Sequence, residues 1–226
     1  MTRRMIIAID GPSGAGKSTL GRMLARKLGL LYLDTGAMYR AVAYAALRSD
    51  ASTTDAEAMA KIAREAHIDL VGDPDSLQVL LDGRDISHEI RNEQIGHAAS
   101  MISAIPEVRR ELVRRQREMG AHGGVVLDGR DIGTVVFPDA DIKFFLTATP
   151  EQRAERRFDE ERRREADLNY EEVLHDINAR DRRDASRADS PLAIADDAIV
   201  LDSTELSIED VFERILEVVR EREARK

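Results

Sequence analysis

Residues 11–18 read GPSGAGKS and match the phosphate-binding loop pattern G-x-x-x-x-G-K-[ST] at every position. An apolar run at 5–9 precedes this segment, and helical periodicity follows from Lys17, which is the context that the pattern requires. Glycines let the backbone turn so that several N–H groups point at phosphate oxygens, and the N-terminus of the next helix favours an anion. Lys17 is expected to reach the β- and γ-phosphates, and Ser18 to offer its hydroxyl to Mg²⁺.

This loop predicts a site for a nucleoside triphosphate, with Mg²⁺ beside it. It does not say what happens to the phosphate. The residues expected to bind the triphosphate are Gly11, Pro12, Ser13, Gly14, Ala15, Gly16, Lys17, Ser18 and Thr19.

The hexapeptide LDGRDI occurs twice, at residues 81–86 and 127–132. Alternating apolar and polar residues precede the first copy, and Asp82-Gly83 is a favoured pair for a tight hairpin turn. The first copy is therefore predicted to be a turn and to need no further function.

The second copy has different surroundings, because a short apolar run places Asp128 at the end of a buried strand. P-loop proteins hold Mg²⁺ at this position, directly or through water. A tight turn after it leaves Arg130 and Asp131 at the carboxyl edge of the sheet, where ligands of open α/β sheets bind. The second copy is therefore predicted to be a site, with Ser18 and Asp128 as the residues that hold the metal.

The segment LDTGAMYR, at residues 33–40, begins at the end of another predicted strand. Asp34, Thr35, Tyr39 and Arg40 place a carboxylate, a hydroxyl, a phenol and a guanidinium close together on the ligand-binding edge. The same residues also fit an ordinary strand-to-helix cap, with helical periodicity from Tyr39 onward. Both interpretations stay open from this segment alone.

Composition excludes several classes of protein. The 226 residues carry a formal net charge of −9, which argues against broad nucleic-acid binding, and they include no cysteine for disulfides or zinc fingers. No apolar run approaches the ~18–20 residues of a membrane span. We therefore expect a cytoplasmic enzyme that binds neither nucleic acid nor membrane. Most positive charge is arginine, which suits small phosphorylated ligands, although a solvated surface of Arg–Glu pairs fits equally well.

Short apolar runs are predicted to be strands at residues 5–9, 30–33, 125–127, 142–146 and 199–201. Helical periodicity lies between them, Gly29 and Gly120 are expected helix stops, and residues 54–57 fit a capping box with Thr54 as the cap. Strands that alternate with helices indicate an α/β fold: a P-loop core whose parallel sheet is flanked by helices. A β-like island at 68–87 does not fit this alternation and is predicted to be an insertion outside the main sheet.

Five segments together carry a family resemblance: DGPSGAGKS, LDTGAMYR, DGRDIGTVVFPDA, RDRRDASR and LDSTELSIEDV. In this order and at this spacing, the chain resembles the bacterial cytidylate kinases, which are P-loop nucleoside monophosphate (NMP) kinases. The resemblance covers nearly the whole chain. It implies transfer of the γ-phosphoryl group of ATP, with Mg²⁺, to CMP or dCMP, giving ADP and CDP or dCDP. We expect a monomer by default.

The resemblance also implies how the chain is divided. It implies one P-loop kinase domain over 1–226, with a core at 1–62 and 104–226, a small β-containing NMP-binding insert at about 63–103 and an Arg-rich helical lid at about 153–168. Within the lid, Arg153 or Arg157 is expected to contact phosphates on closure.

Carried over position by position, the resemblance implies a set of acceptor-pocket residues. They are the cytosine contacts Ser100, Arg109 and Asp131, the monophosphate contacts Arg40, Arg130 and Arg187, the ribose contacts Arg180 and Asp184, and the pocket-wall residues Thr35 and Tyr39. Lys17, Arg130 and Arg187 are expected to act in catalysis by positioning phosphates.

The residue pattern alone leaves these roles open. Arg109 lies at the margin of an apolar helical stripe, from which it could reach a cleft or lie along the surface. Four residues, spaced three to four apart, would share a helical face, which salt bridges within one helix explain equally well: Arg180, Arg183, Asp184 and Arg187.

Three other functions share some of these sequence features. A P-loop kinase for another anionic acceptor, such as a different NMP or a shikimate-like metabolite, fits the arginines as well. A guanine-nucleotide switch would carry an Asn-Lys-x-Asp motif, which the sequence lacks. A nucleic-acid-binding ATPase is disfavoured by the acidic charge and the absence of tryptophan.

Overall fold

The computed structural model describes residues 5–49, 51–162 and 169–224, whose strands form two sheets. The strands are β1 (Ile6–Asp10), β2 (Leu31–Asp34), β3 (Ile68–Val71), β4 (Gln78–Leu81), β5 (Arg84–Asp85), β6 (Val125–Asp128), β7 (Ile142–Thr147) and β8 (Ile199–Asp202).

Eight α-helices connect and flank these strands in the described ranges. They are α1 (Lys17–Leu28), α2 (Thr35–Arg48), α3 (Ala56–Glu65), α4 (Glu93–Ile102), α5 (Pro106–Met119), α6 (Pro150–Glu161), α7 (Tyr170–Ala185) and α8 (Ile208–Ala224). A π-helical turn occupies Ile132–Val136. Across the part of the chain described above, none of the helices has the length and apolar content needed to cross a membrane.

The main sheet has the strand order β2-β6-β1-β7-β8, and all of its pairings are parallel. Helices cover both faces, so the central strands read as continuous apolar runs. Along β1 the side chains alternate between two cores: Ile7 and Ile9 pack with α1 and α8, and Ile6 and Ala8 pack on the opposite face with α5 and the π-helical turn. This arrangement confirms the predicted α/β fold with a parallel sheet flanked by helices.

The β-like island forms a separate antiparallel sheet of order β3-β4-β5. Asp82 and Gly83 join β4 to β5 with φ values of 51° and 80°, as a type I′ hairpin turn requires. The first LDGRDI copy is therefore a turn, as predicted. Buried residues of this sheet, such as Ile68 and Val79, share an apolar core with α2, α3, α4 and α5.

Two helix starts differ from the sequence predictions. Helix α3 is capped by Asp55, whose carboxylate accepts a hydrogen bond from the Ala58 N–H, so the prediction of Thr54 as the cap is wrong. A carboxylate interacts more favourably than a hydroxyl with the positive end of a helix. Helix α2 begins at Thr35 rather than at Tyr39, because Asp34 caps it from the last position of β2.

Truncating a buried side chain of a central strand should lower the stability of the protein considerably. Phe144 in β7 is 1% exposed, and Phe144→Ala is expected to lower the free energy of unfolding by about 3–5 kcal/mol. Leu31→Ala, at a side chain that is 60% exposed, serves as the control and should cost about 1 kcal/mol or less. Urea unfolding measures both variants, and equal losses would contradict the assignment of the core.

Candidate active site

The phosphate-binding loop lies between β1 and α1 and depends on three glycines with positive φ. Gly11, Gly14 and Gly16 have φ values of 143°, 78° and 93°. A Cβ atom on Gly11 would lie 1.9 Å from the carbonyl oxygen of Leu146 in β7. Only glycine therefore fits at this position, and the loop turns into α1 with its amide groups at the carboxyl edge of the sheet.

Lys17 is buried at the start of α1, and its ammonium donates a hydrogen bond of 2.7 Å to the carbonyl oxygen of Pro12. Burial and the nearby Arg130 guanidinium lower the pKa of Lys17 well below its ordinary value, while Asp128 opposes this shift. A polyphosphate in the loop would favour the charged ammonium, because an adjacent opposite charge offsets desolvation.

The predicted metal pair is present as a hydrogen-bonded unit. Ser18 Oγ donates to Asp128 Oδ2 at 2.8 Å, and Tyr32 Oη donates to Asp128 Oδ1 at 2.7 Å. Burial and the neighbouring Asp34 raise the pKa of Asp128 above its ordinary value. Sequence reasoning missed Tyr32, although a phenol inside a buried strand needs a partner for its O–H, and that need is a usable signal.

These residues fit a triphosphate and Mg²⁺. The loop supplies positively polarised N–H groups and a buried lysine, and Ser18 and Asp128 present oxygen atoms side by side. Mg²⁺ prefers oxygen ligands and is usually held by one or two carboxylates together with substrate phosphates and water.

Asp34 caps helix α2 and also pairs with Arg40. One carboxylate oxygen accepts the Ala37 N–H at 2.8 Å and caps α2, and the other accepts Arg40 Nη2 at 2.9 Å. Thr35 is 3% exposed, and its hydroxyl donates to the backbone oxygen of Asp128 at 2.7 Å. The Thr35 hydroxyl thus fastens α2 to the end of β6.

A buried ion pair joins Arg109 of α5 to Asp131 of the loop after β6, with side-chain exposures of 3% and 8%. The Tyr39 ring lies under the Arg109 guanidinium at 5.7 Å, and Arg109 Nη1 also donates to the carbonyl oxygen of Ser103 at 3.2 Å. Arg109 therefore lies in the interior, which excludes a position along the surface.

A second group of charges surrounds Asp184 of α7, which is almost fully buried. Arg130 Nε donates to Asp184 at 2.8 Å, and Arg187 donates to the other carboxylate oxygen. Burial alone would raise the pKa of Asp184, but the guanidinium groups, led by Arg130, lower it below its ordinary value. Burial, followed by repulsion from Arg130, lowers the pKa of Arg180 to about 9.

Several of these arginines keep a buried donor without a partner. Among the residues that the structure describes, the buried Nε–H groups without a hydrogen-bond acceptor are those of Arg40, Arg109, Arg180 and Arg187. A buried donor that lacks an acceptor costs about 1–3 kcal/mol. All four belong to the predicted acceptor set, so this part of the protein has unused capacity for an anionic, oxygen-rich ligand.

Ser100 of α4 is 3% exposed, and its hydroxyl accepts a hydrogen bond from Arg183 of α7. The structure thus brings Ser100 into contact with an arginine of α7. Arg183 was not in the predicted set of acceptor-pocket residues. Its spacing from Arg180 and Arg187 places it on the same helical face, but the pattern does not show that it reaches across to α4.

Arg153, the first residue of the predicted lid, is held in place by contacts with two other parts of the protein. Arg153 of α6 is 3% exposed, donates to the Ser13 carbonyl oxygen of the phosphate-binding loop at 3.0 Å, and pairs with Asp181 of α7 at 2.6 Å. In this conformation Arg153 supports the loop backbone instead of extending toward solvent. Residues 163–168 of the predicted lid lie outside the described residues.

A phosphate-binding loop and a cluster of charged side chains that includes Arg130 and Asp131 lie at the carboxyl edge of one parallel sheet. This combination defines the class of P-loop phosphotransferases. A sequence model of the cytidylate kinase family matches residues 7–221, and the chain belongs to that family.

Curated relatives with the same family name align with this chain over nearly their whole lengths. The cytidylate kinase of Caldanaerobacter subterraneus subsp. tengcongensis is 50% identical over 95% of this chain and 94% of its own length. The cytidylate kinase of Bacillus subtilis is 44% identical over 98% of this chain and 99% of its own. A solved shikimate kinase from Bacteroides thetaiotaomicron has a TM-score of 0.51 at 15% identity, covers 96% of this chain and 98% of its own, and shows a shared fold.

The Tyr32–Asp128 hydrogen bond yields a prediction. Tyr32→Phe leaves a buried carboxylate oxygen without its donor, so the free energy of unfolding should fall by about 1–3 kcal/mol. Tyr170→Phe removes a hydroxyl whose exposed hydrogen bond to the backbone oxygen of Glu151 is 3.5 Å long. This control should change the free energy of unfolding by less than about 0.5 kcal/mol. Urea unfolding at neutral pH compares the two, and a Tyr32→Phe variant as stable as Tyr170→Phe would contradict this role.

Proposed function

We propose that the protein transfers the γ-phosphoryl group of ATP to CMP or dCMP, giving ADP and CDP or dCDP. Membership in the cytidylate kinase family supports this reaction. The structural observation that carries it is the group of four arginines, Arg40, Arg109, Arg180 and Arg187, whose buried Nε–H donors lack a partner.

On the donor side, residues 11–19 bind the triphosphate. The loop amides contact phosphate oxygens, and Lys17 moves its ammonium from the Pro12 carbonyl to the β- and γ-phosphates. Ser18 and Asp128 hold Mg²⁺, which when bound neutralises charge on the β- and γ-phosphate oxygens. Tyr32 orients Asp128 for this task through its hydrogen bond.

On the acceptor side, Arg40, Arg130 and Arg187 bind the monophosphate and hold it against the donor. The Arg130 guanidinium lowers the pKa of Lys17, and this electrostatic interaction supports the assignment of Arg130 to a phosphate that lies beside the donor phosphates. Phosphoryl transfer needs little covalent chemistry from the protein, so positioning and charge stabilisation supply the rate. No nucleophilic side chain is required.

The Arg109–Asp131 pair supplies a means of reading cytosine. In this proposal Asp131 accepts a hydrogen bond from the exocyclic N4 amino group of cytosine, which is a known way for a carboxylate to recognise that base. Arg109 and Ser100 supply donors for the remaining ring acceptors. Uracil carries an oxygen in place of that amino group, so Asp131 would repel it, and this repulsion gives discrimination between the two pyrimidines.

The sugar and the pocket wall complete the acceptor site. Arg180 and Asp184 are assigned to the ribose, with Arg130 and Arg187 holding the Asp184 carboxylate in place. Tyr39 packs under Arg109 and Thr35 fixes the start of α2, so both support the pocket from behind.

The larger organisation follows the same proposal. We infer an NMP-binding insert at about 63–103, which contains the antiparallel sheet and α4, and a lid at about 153–168 that covers the phosphates. Residues 1–62 and 104–226, apart from the lid, are assigned to the core of one domain. We expect a monomer that works in the cytoplasm, which sedimentation and cell fractionation would test.

The acceptor is tested by measuring ADP release with Mg·ATP and a panel of CMP, dCMP, UMP, AMP, GMP and shikimate. CMP and dCMP should give the highest kcat/KM, at least about tenfold above UMP, because a site built to hydrogen-bond an amino group rejects an analogue that lacks it. Preference for AMP or shikimate would overturn the cytosine assignment. Slow hydrolysis that does not depend on the acceptor would overturn the kinase assignment.

The base contact yields a prediction with a matched control. Arg109→Lys keeps the charge beside Asp131 but removes the planar fork, so the KM for CMP should rise about tenfold while the KM for ATP stays unchanged. Arg110→Lys changes the neighbouring arginine, whose side chain is 67% exposed, and should leave both constants unchanged. Steady-state kinetics measures all four values, and an equal effect of the two substitutions would contradict the proposed contact.

A further inference from the structure

Asp10 is a buried carboxylate to which the reaction above gives no role. It is the last residue of β1, immediately before Gly11 of the phosphate-binding loop, and it is 4% exposed. Burial raises the pKa of Asp10 to about 6, against the opposing effects of the Gly133 and Ile132 N–H groups and Lys17, while Asp131 raises it further. The side chain is therefore ionised at neutral pH and accepts hydrogen bonds through both oxygens.

Both carboxylate oxygens of Asp10 accept hydrogen bonds from residues 130–133, which we call the acceptor-binding segment because it carries the predicted acceptor contacts Arg130 and Asp131. Asp10 Oδ1 accepts the Ile132 N–H at 2.8 Å, and Oδ2 accepts the Gly133 N–H at 2.7 Å. These two amides open the π-helical turn that follows Arg130 and Asp131. One carboxylate thus binds the segment that carries two predicted acceptor contacts.

The other side of this segment is also closely packed. A Cβ atom on Gly133 would lie 3.0 Å from Lys143 Cδ and 3.4 Å from Asp10 Oδ2. The ammonium of Lys143 is held by Asp197 at 2.7 Å, so the lysine stem has little freedom to give way. The segment therefore sits between Asp10 and Lys143, and glycine permits the close approach.

The position of this segment sets the position of two ion pairs. Arg130 reaches Asp184 of α7 at 2.8 Å, and Asp131 reaches Arg109 of α5. If the segment moved, both pairs would have to move with it or break. Since Asp10 is covalently joined to Gly11, its two hydrogen bonds fix the distance between the donor loop and the acceptor contacts.

We propose that Asp10 is a positioning residue that holds the acceptor-binding segment in register with the phosphate-binding loop. This inference rests on the proposed kinase reaction. It assigns to Asp10 no contact with either substrate. The work of Asp10 is to keep the acceptor phosphate aligned with the donor, which is where phosphoryl transfer obtains most of its rate.

The test is Asp10→Asn, which preserves shape but replaces one acceptor oxygen with an N–H₂ group that opposes a backbone N–H. Removing a hydrogen bond to a charged group costs enough to lower kcat/KM for CMP by about 10- to 100-fold. The KM for ATP should stay within about threefold, because the loop glycines and Lys17 are unchanged. Circular dichroism and the melting temperature establish that the variant is folded.

The matched control is Asp202→Asn. Asp202 also ends a strand of the same sheet, but its carboxylate is exposed and accepts from Thr204 in its own loop. All kinetic constants of this variant should stay within about twofold of wild type, since surface substitutions rarely matter.

A second variant approaches the same contact from the other side. Gly133 has no positive φ, so Gly133→Ala is compatible with the backbone and acts only by crowding Asp10 and Lys143. It should lower kcat/KM for CMP and spare the KM for ATP, as Asp10→Asn does. The double variant should lose less than the product of the two single losses, because both act through one contact.

Each contrary outcome is distinct. A folded Asp10→Asn variant with unchanged kcat/KM for CMP would overturn the inference. A rise in the KM for ATP as large as the fall in kcat/KM for CMP would also overturn it, because a general structural role predicts that the donor site is disturbed too. A wild-type protein that turns over ATP without responding to CMP would overturn the proposed reaction itself, and the role of Asp10 in aligning the acceptor would fall with it.

Discussion

The constraint on which the rest of the structure depends is the need to neutralise buried charge at the carboxyl edge of the main sheet. Four of its five strands end in aspartate, namely Asp10, Asp34, Asp128 and Asp202. A buried carboxylate is tolerated only when it is paired or hydrogen-bonded. Each of the first three is satisfied by a different part of the site: the acceptor-binding segment, the start of α2 with Arg40, and the Ser18–Tyr32 pair.

The same rule shapes the arginines that face this edge. Asp131 pairs with Arg109, and Asp184 pairs with both Arg130 and Arg187, which offsets much of the cost of holding guanidinium groups away from water. Pairing leaves the Nε–H donors of Arg40, Arg109, Arg180 and Arg187 unused, and the arginines outnumber the carboxylates that face them, so the pocket is positively charged and rich in donors. Such a pocket can take an anion without first losing strong solvation, and its geometry is already set before binding.

Local sequence patterns predicted the parts of the site that are formed by residues close together in the sequence. The phosphate-binding loop, the Asp82-Gly83 turn and Asp128 at a strand end are all of this kind. Tyr32, Asp10 and Arg183 were missed because their partners Asp128, Ile132 and Ser100 are remote in sequence and meet them only in the folded sheet. For the same reason, helical spacing could not decide whether Arg109 was buried or lay along the surface.

The measurement that tests this account most directly is calorimetric titration of the protein with CMP and, separately, with cytidine. If the buried arginines form the acceptor-phosphate site, CMP should bind at least about 100-fold more tightly than cytidine, since charge-assisted hydrogen bonds to several guanidinium groups are worth more than about 3 kcal/mol together. Equal affinities for CMP and cytidine would show that these arginines serve the fold alone and would contradict the account.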